Sequence, residues 1–328
     1  MSTVTTTTLS AEMKTFYDMR LIDEASPMLV HEQFGQKRPI PQGGGKTVNF
    51  RRFSPLAKAT TALTEGVTPS GSSLSVSSIS AIVAQYGDYV VQSDVLELTA
   101  VDNTILETTK LLGRQAGLTM DTIVRNALLL GTNKSYAPKY VADTNGNLVE
   151  TEVTKTADLD TSAKLTVDVV QRVVAKLRAQ NAPTIGGDYV CIIHPYVAYD
   201  LMRDPEWIDA HKYATPENLY TGEIGKMAGV RFVQSTEAKI DKGGSDNPSG
   251  LAVFHCLFIG DGAYGVTEVT GGGLQTIVKQ KGSSGTADPL DQRSSVGWKG
   301  LKAAKILVDN YLVDLMCCSK FSATATAN

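Results

Sequence analysis

Residues 46–93 carry a long pair of predicted strands that cannot bury enough apolar surface to be stable alone. The first strand begins with Val48 and Phe50, and the segment Glu65–Gly71 has the composition of a turn. The return strand, residues 72–91, is Ser-rich and has mostly small side chains. An isolated β-ribbon of this kind is not stable in water, and no other part of the chain is an obvious host. We therefore expect an extended hairpin that rests on a neighbouring copy of the chain.

The segment before this ribbon, residues 1–45, is predicted to be an N-terminal arm. It is Thr-rich at its start, has one short helical candidate near residues 12–24, and ends in Pro39, Pro41 and three glycines, which interrupt regular structure. The arm has no apolar core of a secretory signal. No stretch of the chain reaches the roughly 18–20 apolar residues that a membrane span requires, so we expect no membrane insertion.

Residues 104–130 are predicted to form one long helix, because apolar side chains recur there at spacings of three, four and seven. Gly131 and Asn133 are typical of the end of a helix. A helix of this length is a rod of roughly 40 Å. Gly113 and Gly117 lie inside it and lower its stability unless another segment packs closely against them.

The rest of the chain alternates short helices and strands without regular strand–helix–strand repeats, which favours an α+β fold. Asn145-Gly146 indicates a hairpin turn, and residues 166–180 have the pattern of a second amphipathic helix. The other predicted elements are a strand at 189–193, a helix near 196–202, strands at 229–235, 251–259 and 266–270, and a final strand-like run at 304–317.

Positive charge is concentrated in one part of an otherwise mildly acidic chain. The net charge is −3, so strong overall attraction to nucleic acid or an anionic membrane is not expected. Residues 31–58, by contrast, have a local net charge of +5, with Glu32 as their single acid. This run is either a solvated surface or a contact with an acidic partner, DNA or a neighbouring subunit. Its cations are Lys37, Arg38, Lys46, Arg51, Arg52 and Lys58.

Two glycine-rich motifs suggest nucleotide binding but lack the structural context that such binding needs. The segment Gly43–Thr47 has Ile40 where a phosphate-binding loop has its first glycine, and it follows a Pro-rich arm instead of a strand. The segment Gly260–Gly265 matches GxGxxG, but residues 266–270 alternate as a strand where a dinucleotide site needs a helix. We interpret the second motif as a glycine-rich hairpin turn.

No local motif indicates a metal or catalytic site. Asp143–Asn147 is similar to the start of a calcium loop, but Leu148 and Thr154 stand where that loop has Gly and Glu. The histidines lie at no zinc spacing from the cysteines and pair with no nucleophile motif. The cysteines form no CxxC pair and are predicted to be reduced, as in a cytoplasmic protein; they are Cys191, Cys256, Cys317 and Cys318.

Short segments distributed over most of the chain resemble one known family. Each segment alone is weak, but their order and spacing together are specific. They are Phe16-Tyr17-Asp18, Gly45-Lys46-Thr47-Val48, Glu65-Gly66-Val67-Thr68-Pro69, Gln85-Tyr86-Gly87, Thr119-Met120-Asp121, Gly131-Thr132-Asn133, the segment Gly229–Ser235, Asp288-Pro289-Leu290, Gln292-Arg293 and Val296-Gly297-Trp298-Lys299. In this order they resemble the major capsid protein family of tailed phages typified by the N-four-type podoviruses.

The resemblance implies an α+β subunit of the Hong Kong 97 type. The implied segments are an N-terminal arm at 1–45, an extended β-hairpin loop at 46–93, a peripheral domain at 94–160 with its spine helix at 104–130, an axial domain at 161–285, and a C-terminal return to the peripheral domain at 286–328.

The resemblance also implies a coat protein that self-assembles through pentamers and hexamers into an icosahedral shell around the double-stranded DNA of a tailed phage. The implied partners are other copies of the chain, scaffolding, portal and cement or decoration proteins, and DNA held non-specifically on the inner surface. The implied location is the virion capsid, assembled in the host bacterial cytoplasm. No catalytic, cofactor or metal residue is implied.

Candidate contacts for assembly or the genome combine the basic run with three residues of the motif segments: Lys37, Arg38, Lys46, Arg51, Arg52, Lys58, Glu65, Arg293 and Trp298. Arg51 and Arg52 in particular are expected to touch a neighbouring subunit or the genome. Two other functions remain open: the shell of an encapsulin-like bacterial compartment, which differs in its contents, and a nucleotide-binding enzyme that uses a glycine-rich loop.

Overall fold

The structure is a computed structural model of the 328-residue chain. It describes residues 19–40, 45–53, 56–99, 104–212, 225–243, 247, 250–268, 274–282 and 289–328. Its α-helices are α1, of which residues 19–25 are described, α2 (Asp94–Thr99), α3 (Thr104–Leu128), α4 (Val167–Ala179), α5 (Pro195–Met202) and α6 (Pro205–Lys212).

The strands lie in several small sheets and one larger sheet. They are β1 (Gln36–Arg38), β2 (Thr47–Phe53), β3 (Val76–Ile82), β4 (Ala84–Ser93), β5 (Lys134–Tyr136), β6 (Lys139–Ala142), β7 (Leu148–Thr151), β8 (Tyr189–Ile193), β9 (Lys226–Met227), β10 (Val230–Gln234), β11 (Ile240–Lys242), β12 (Ala252–Ile259), β13 (Tyr264–Thr267), β14 (Leu274–Lys279), β15 (Arg293–Lys302), β16 (Ala304–Ile306) and β17 (Leu312–Cys317).

The long helix α3 lies across a three-stranded antiparallel sheet of order β14-β15-β4. One stripe of the helix, including Leu112, Ala116 and Met120, packs with Val296 and Trp298 of β15 in a common buried cluster. The predicted long helix is therefore confirmed, and it ends two residues earlier than expected, at Leu128.

Helix α1 packs against α3 where α3 has glycines. A Cβ atom at Gly113 would lie 3.1 Å from the carbonyl oxygen of Leu21, and one at Gly117 would lie 2.6 Å from that of Ala25. At Gly117 the two backbones therefore approach more closely than a Cβ atom would permit, and at Gly113 a Cβ atom would make a tight contact. This contact is the close packing that the sequence required to offset two glycines in a helix. Of the predicted helix near 12–24, residues 12–18 lie outside the described part of the chain.

The larger sheet has the order β5-β17-β12-β8-β10-β9, with β11 also paired to β12. Its central strands β8, β12 and β17 are buried along their whole length. Thr166 caps the N-terminus of α4, because its hydroxyl accepts a hydrogen bond from the Val169 amide at 3.4 Å. The valine face of α4 joins the same core. The predicted strand at 189–193 and the helix at 166–180 are both confirmed.

The GxGxxG segment is a turn, as expected, but it joins two different sheets instead of closing a hairpin. Strand β12 before it belongs to the larger sheet, and β13 after it lies between β1 and β16. A Cβ at Gly260 would lie 2.8 Å from the carbonyl oxygen of Pro183, and one at Gly265 would overlap the ring of Phe50. Both glycines thus have a packing role, and Gly265 lies within strand β13, where a dinucleotide site needs the start of a helix.

The predicted ribbon at 46–93 is only partly correct. Strands β2 and β3 pair as expected, with Phe50 opposite Ile79. Beyond Val83, however, β4 leaves the ribbon and pairs along ten residues with β15. The base of the ribbon also has a host in its own chain, because Val48 and Phe50 are buried in a cluster with Leu307 and other residues of the C-terminal region.

Two further segments differ in detail from the predictions. The final run at 304–317 is two strands, β16 and β17, separated by a 3-10 turn at Asp309–Tyr311. Asp309 there accepts hydrogen bonds from the amide of Thr132, at 3.0 Å, and from its hydroxyl, which secures the chain that follows α3. The hairpin at Asn145-Gly146 is confirmed as β6–β7, and the carboxylate of Asp143 accepts bonds from two amides of its turn.

Candidate assembly surfaces

The ribbon segment 56–75 exposes apolar side chains and has no regular structure. Leu63 is 77% exposed and Val67 is 62% exposed, and Leu56 and Leu74 are exposed to a similar degree. The backbone hydrogen bonds found within this segment are local, as between the Val67 amide and the Thr64 carbonyl at 3.2 Å. An irregular segment that exposes four large apolar side chains is a candidate for a surface that another molecule covers.

The basic run is spread over three elements. Lys37 and Arg38 lie on β1, and Lys46 precedes β2, where its carbonyl oxygen accepts a bond from the Val83 amide at 2.8 Å and closes the base of the ribbon. Lys58 is exposed in the segment 56–75. The Nε atom of Arg38 is buried and has no hydrogen-bond partner among the described residues.

The two arginines of β2 differ in their surroundings. Arg51 is exposed, whereas Arg52 is half-buried and its Nη1 donates to the carbonyl oxygen of Leu307 at 3.4 Å. Arg52 therefore helps to hold the ribbon on its own chain, and Arg51 presents its guanidinium to solvent. The expectation that both touch a neighbouring subunit or the genome stays a prediction.

The three candidates from the motif segments have different positions. Glu65 is exposed in the segment 56–75, and Arg293 is exposed at the start of β15, opposite Ser93. Trp298 is only 3% exposed, and its Nε1 donates to Gln115 of α3 at 3.2 Å. Because its side chain is enclosed by its own chain, Trp298 is a core residue, and the expectation that it is a contact residue is corrected.

A buried ion pair that sequence reasoning missed joins the segment after α1 to β15. The Nζ of Lys302 lies 2.6 Å from Oε2 of Glu32 and donates to the carbonyl oxygen of Thr267 at 2.9 Å. Burial lowers the pKa of Lys302, and the adjacent carboxylate of Glu32 opposes that effect. Either charge alone would be unfavourable in the interior. The ion pair therefore requires Glu32 and Lys302 to lie next to each other.

A second buried contact ties the same segment to α3. Asp121 of α3 accepts bonds from the backbone amide of His31 at 2.7 Å and from its Nδ1 at 2.6 Å. The Tyr264 hydroxyl donates to the His31 carbonyl oxygen at 2.5 Å. Together with the Lys302 pair, this contact fixes the end of the N-terminal segment on the core of the subunit.

His255 lies between two carboxylates on neighbouring strands. Its Nδ1 is 2.9 Å from Asp314 of β17, and its Nε2 is 2.9 Å from Asp241 of β11. Burial lowers the pKa of His255, but its hydrogen bonds to Asp241 and Asp314 and their negative charges outweigh burial and raise it to about 9. The imidazolium thus holds three strands of the larger sheet together at neutral pH.

The four cysteines and His194 contribute to packing and to a helix cap. The cysteines are buried free thiols, with the Sγ atoms of Cys256 and Cys317 3.7 Å apart, and burial raises the pKa of Cys191. His194 accepts a bond from the Tyr196 amide at 3.2 Å and so caps α5.

Within the described ranges, no group of three or more His, Cys, Asp or Glu side chains could hold a metal ion. No helix in the described part of the chain is long and apolar enough to cross a membrane.

The fold is that of solved phage capsid subunits. The chain is similar to a subunit of the capsid of Ralstonia phage GP4, with 17% identity, 88% of each chain covered and a TM-score of 0.65. It is also similar to one in the head of Helicobacter pylori bacteriophage KHP40, with 14% identity, 86% of this chain and 88% of that chain covered, and a TM-score of 0.63. The corresponding values for the capsid of cyanophage P-SCSP1u are 14%, 89% of each chain and 0.61.

These likenesses establish the class of the protein, an α+β subunit with the Hong Kong 97-type fold. A protein-family model described as phage capsid protein matches residues 54–312. A search of curated protein sequences finds no significant match. The chain belongs to the phage capsid protein family, and its function is that of a major capsid protein that forms a shell. The alternative of a bacterial compartment shell is not favoured by these matches.

Proposed function

We propose that the chain assembles through pentamers and hexamers into an icosahedral shell around the double-stranded DNA genome of a tailed phage. The observation that carries this proposal is the exposed apolar segment 56–75, which is not covered by any described residue of its own chain. Contacts between unlike surfaces of identical subunits form a closed assembly only when the rotation from one copy to the next leads back to the first copy. An icosahedral lattice meets this condition.

The segments of the subunit are proposed to have the roles that the family resemblance implies. Residues 1–45 act as the arm, 46–93 as the extended loop, 94–160 and 286–328 as the peripheral domain, and 161–285 as the axial domain. The packing of β14-β15-β4 against α3 supports one peripheral unit, and the larger sheet with α4 supports a second unit. Two strands cross the proposed bounds: β14 lies within 161–285 but belongs to the peripheral sheet, and β17 lies within 286–328 but belongs to the larger sheet. Because β4 belongs to the same sheet as β15, we place the functional end of the extended loop at Val83.

The partners of the shell are proposed from its chemistry. Exposed cations such as Arg51 and Lys58 would contact a neighbouring subunit or DNA without sequence specificity. Scaffolding, portal and cement or decoration proteins would guide or complete the shell, which would form in the host cytoplasm. We propose no catalytic activity, since the family is a structural one.

The proposed function is tested by substitutions in the exposed segment 56–75. In a variant with Leu63→Asp and Val67→Asp, we expect sedimentation and negative-stain imaging to show loss of closed particles. The melting temperature of the unassembled chain should stay within a few degrees of the wild-type value, because both side chains are exposed. Leu148→Asp, equally exposed on the β6–β7 hairpin, is the control for added charge. Normal shells from the double variant would contradict the role of the loop.

A further inference from the structure

A cavity of about 420 Å³ lies at the edge of the larger sheet. It is bounded by the edge strand β5, by helix α4 and by residues 152–154, which follow the hairpin β6–β7. Its volume lies within the range of sites that bind small molecules, roughly 300–1,000 Å³. The buried apolar side chains that line it come from α4, from β17 and from the segment after β7; they are Val153, Val169, Val173 and Leu315. The cavity therefore offers an apolar surface to a small ligand.

Lys176 of α4 brings a positive charge into this apolar cavity. Its Nζ donates to the carbonyl oxygen of Lys134 at 3.0 Å and to the hydroxyl of Ser135 at 2.9 Å. A lysine ammonium has three N–H groups, so one of them is left without an acceptor among the described residues. Both of its acceptors are uncharged, so Lys176 is a partly buried cation without a counter-ion among those residues, which is unfavourable.

The other charged side chains of the cavity do not compensate Lys176. Arg172 is paired with Asp168 at 2.7 Å and also with Glu150, so its own charge is balanced. The exposed side chains of Lys134 and Glu152 have opposite charges. Burial lowers the pKa of Lys176, and no carboxylate offsets that effect. Lys176 therefore gives the cavity its uncompensated positive charge.

We infer that this cavity binds a carboxylate that carries a short aliphatic group. The carboxylate accepts a charge-assisted hydrogen bond from the remaining N–H of Lys176, and the aliphatic group packs against Val169 and Val173. The anion offsets the burial of the ammonium, and the aliphatic group displaces water from the valine surface. A free fatty acid of medium length and the C-terminal aliphatic residue of a polypeptide both have this chemistry. Such binding goes beyond the proposed shell function and does not depend on assembly.

A series of ligands tests the two parts of the site. The purified full-length chain is titrated with straight-chain carboxylates from acetate to octanoate, and binding is followed by ligand-detected NMR. Each CH₂ that enters the cavity should tighten binding by about fourfold until the cavity is filled. Octanamide has the same shape without the charge and should bind about tenfold more weakly than octanoate, or weaker still. Equal affinities of acetate and octanoate, or of octanamide and octanoate, would overturn the inference.

Substitutions at Lys176 test its role directly. Lys176→Gln keeps a donor for the Lys134 carbonyl but removes the charge, and should weaken octanoate binding by about tenfold or more. Lys176→Arg keeps the charge and should retain most of the binding. Lys226→Gln is the control, because Lys226 is paired with Asp188 and does not line the cavity. Unchanged octanoate binding in a folded Lys176→Gln chain would refute the site.

A measurement on the wild-type chain does not depend on how any variant folds. Bound octanoate should protect Lys176 from acylation by acetic anhydride severalfold, whereas acylation of Lys226 should be unchanged, as read by mass spectrometry of peptides. Equal acylation of Lys176 with and without octanoate would overturn the inference.

The two sources of the carboxylate are separated with a tripeptide that ends in leucine, tested as the free acid and as the amide. Tighter binding of the acid peptide than of octanoate assigns the cavity to the C-terminus of a polypeptide, and the reverse order assigns it to a free fatty acid. Binding of neither octanoate nor the acid peptide would overturn the inference without affecting the proposed function, which is tested by shell formation.

Discussion

The carbonyl oxygen of Ala25 lies where a side chain at Gly117 would begin. The distance between that oxygen and a Cβ atom at Gly117 would be 2.6 Å, closer than such atoms approach in real structures. The spine helix therefore tolerates an unfavourable residue in its interior, because the glycine lets α1 pack backbone against backbone.

Gly117→Ala should destabilise the subunit, although alanine favours a helix by about 1 kcal/mol. The added methyl group must displace α1, and overpacking of this kind costs about 1–3 kcal/mol. Urea unfolding of the unassembled chain measures the effect. Gly71→Ala is the control, since a Cβ there meets nothing within 4 Å. A Gly117→Ala chain more stable than the wild type would show that α1 does not pack as described.

Lys302→Met should lower the free energy of unfolding by about 3–5 kcal/mol, because it leaves the Glu32 carboxylate buried without its partner. Adding Glu32→Gln to the same chain should recover much of that loss by removing the buried charge. A double-mutant cycle by chemical denaturation measures the coupling. Additive effects of the two substitutions would contradict a direct ion pair.

Stability should fall between about pH 6.5 and pH 9 because of His255. Its pKa in the folded subunit is about 9, above the roughly 6.5 of an unfolded histidine, so folding favours the protonated form. The contribution is complete below the unfolded pKa and is lost as the pH rises through the folded value. By this linkage it is at most about 3 kcal/mol. His255→Gln should flatten the dependence of melting temperature on pH over this range, and an unchanged dependence would exclude His255 as its source.

Arg51 and Arg52 should differ when each is replaced by alanine. Arg52→Ala removes a long hydrogen bond to Leu307 and should cost less than about 1 kcal/mol of stability. Arg51→Ala should leave stability unchanged within about 0.5 kcal/mol but lower the yield of shells or their retention of DNA, with the largest difference from the wild type at low salt, where charge contacts are least screened. Shells from Arg51→Ala with normal yield and normal DNA content would remove Arg51 from the contact residues.

The local pattern of apolar residues is sufficient to predict the helices and strands that have one apolar face or are buried along their whole length. The stripe through Leu112 and Met120 predicted α3, and the continuous apolar run at 189–193 predicted β8. The glycines at 113 and 117 also predicted that another segment packs closely on α3, although not which segment. In each case the information lies within a few residues of the element itself.

Pairing between strands that are distant in the chain could not be predicted from such local patterns. Strand β4 pairs with β15, two hundred residues further along the chain, and its Ser-rich neighbour β3 made both appear to belong to one free ribbon. Trp298 is a contact candidate in the sequence because it belongs to a motif segment, yet strand alternation places its side chain against α3. Glu32 enters the sequence analysis only as the single acid of the run 31–58, and Lys302 does not enter it, since a charge is unfavourable in a core until the fold brings its partner to it.

Shell assembly is measured by sedimentation of the purified chain, with negative-stain imaging of the fast fraction. We expect closed particles of uniform size, formed by the chain alone or with co-expressed scaffolding and portal proteins. A discrete monomer or dimer that persists under both conditions would contradict assembly as the function of this subunit.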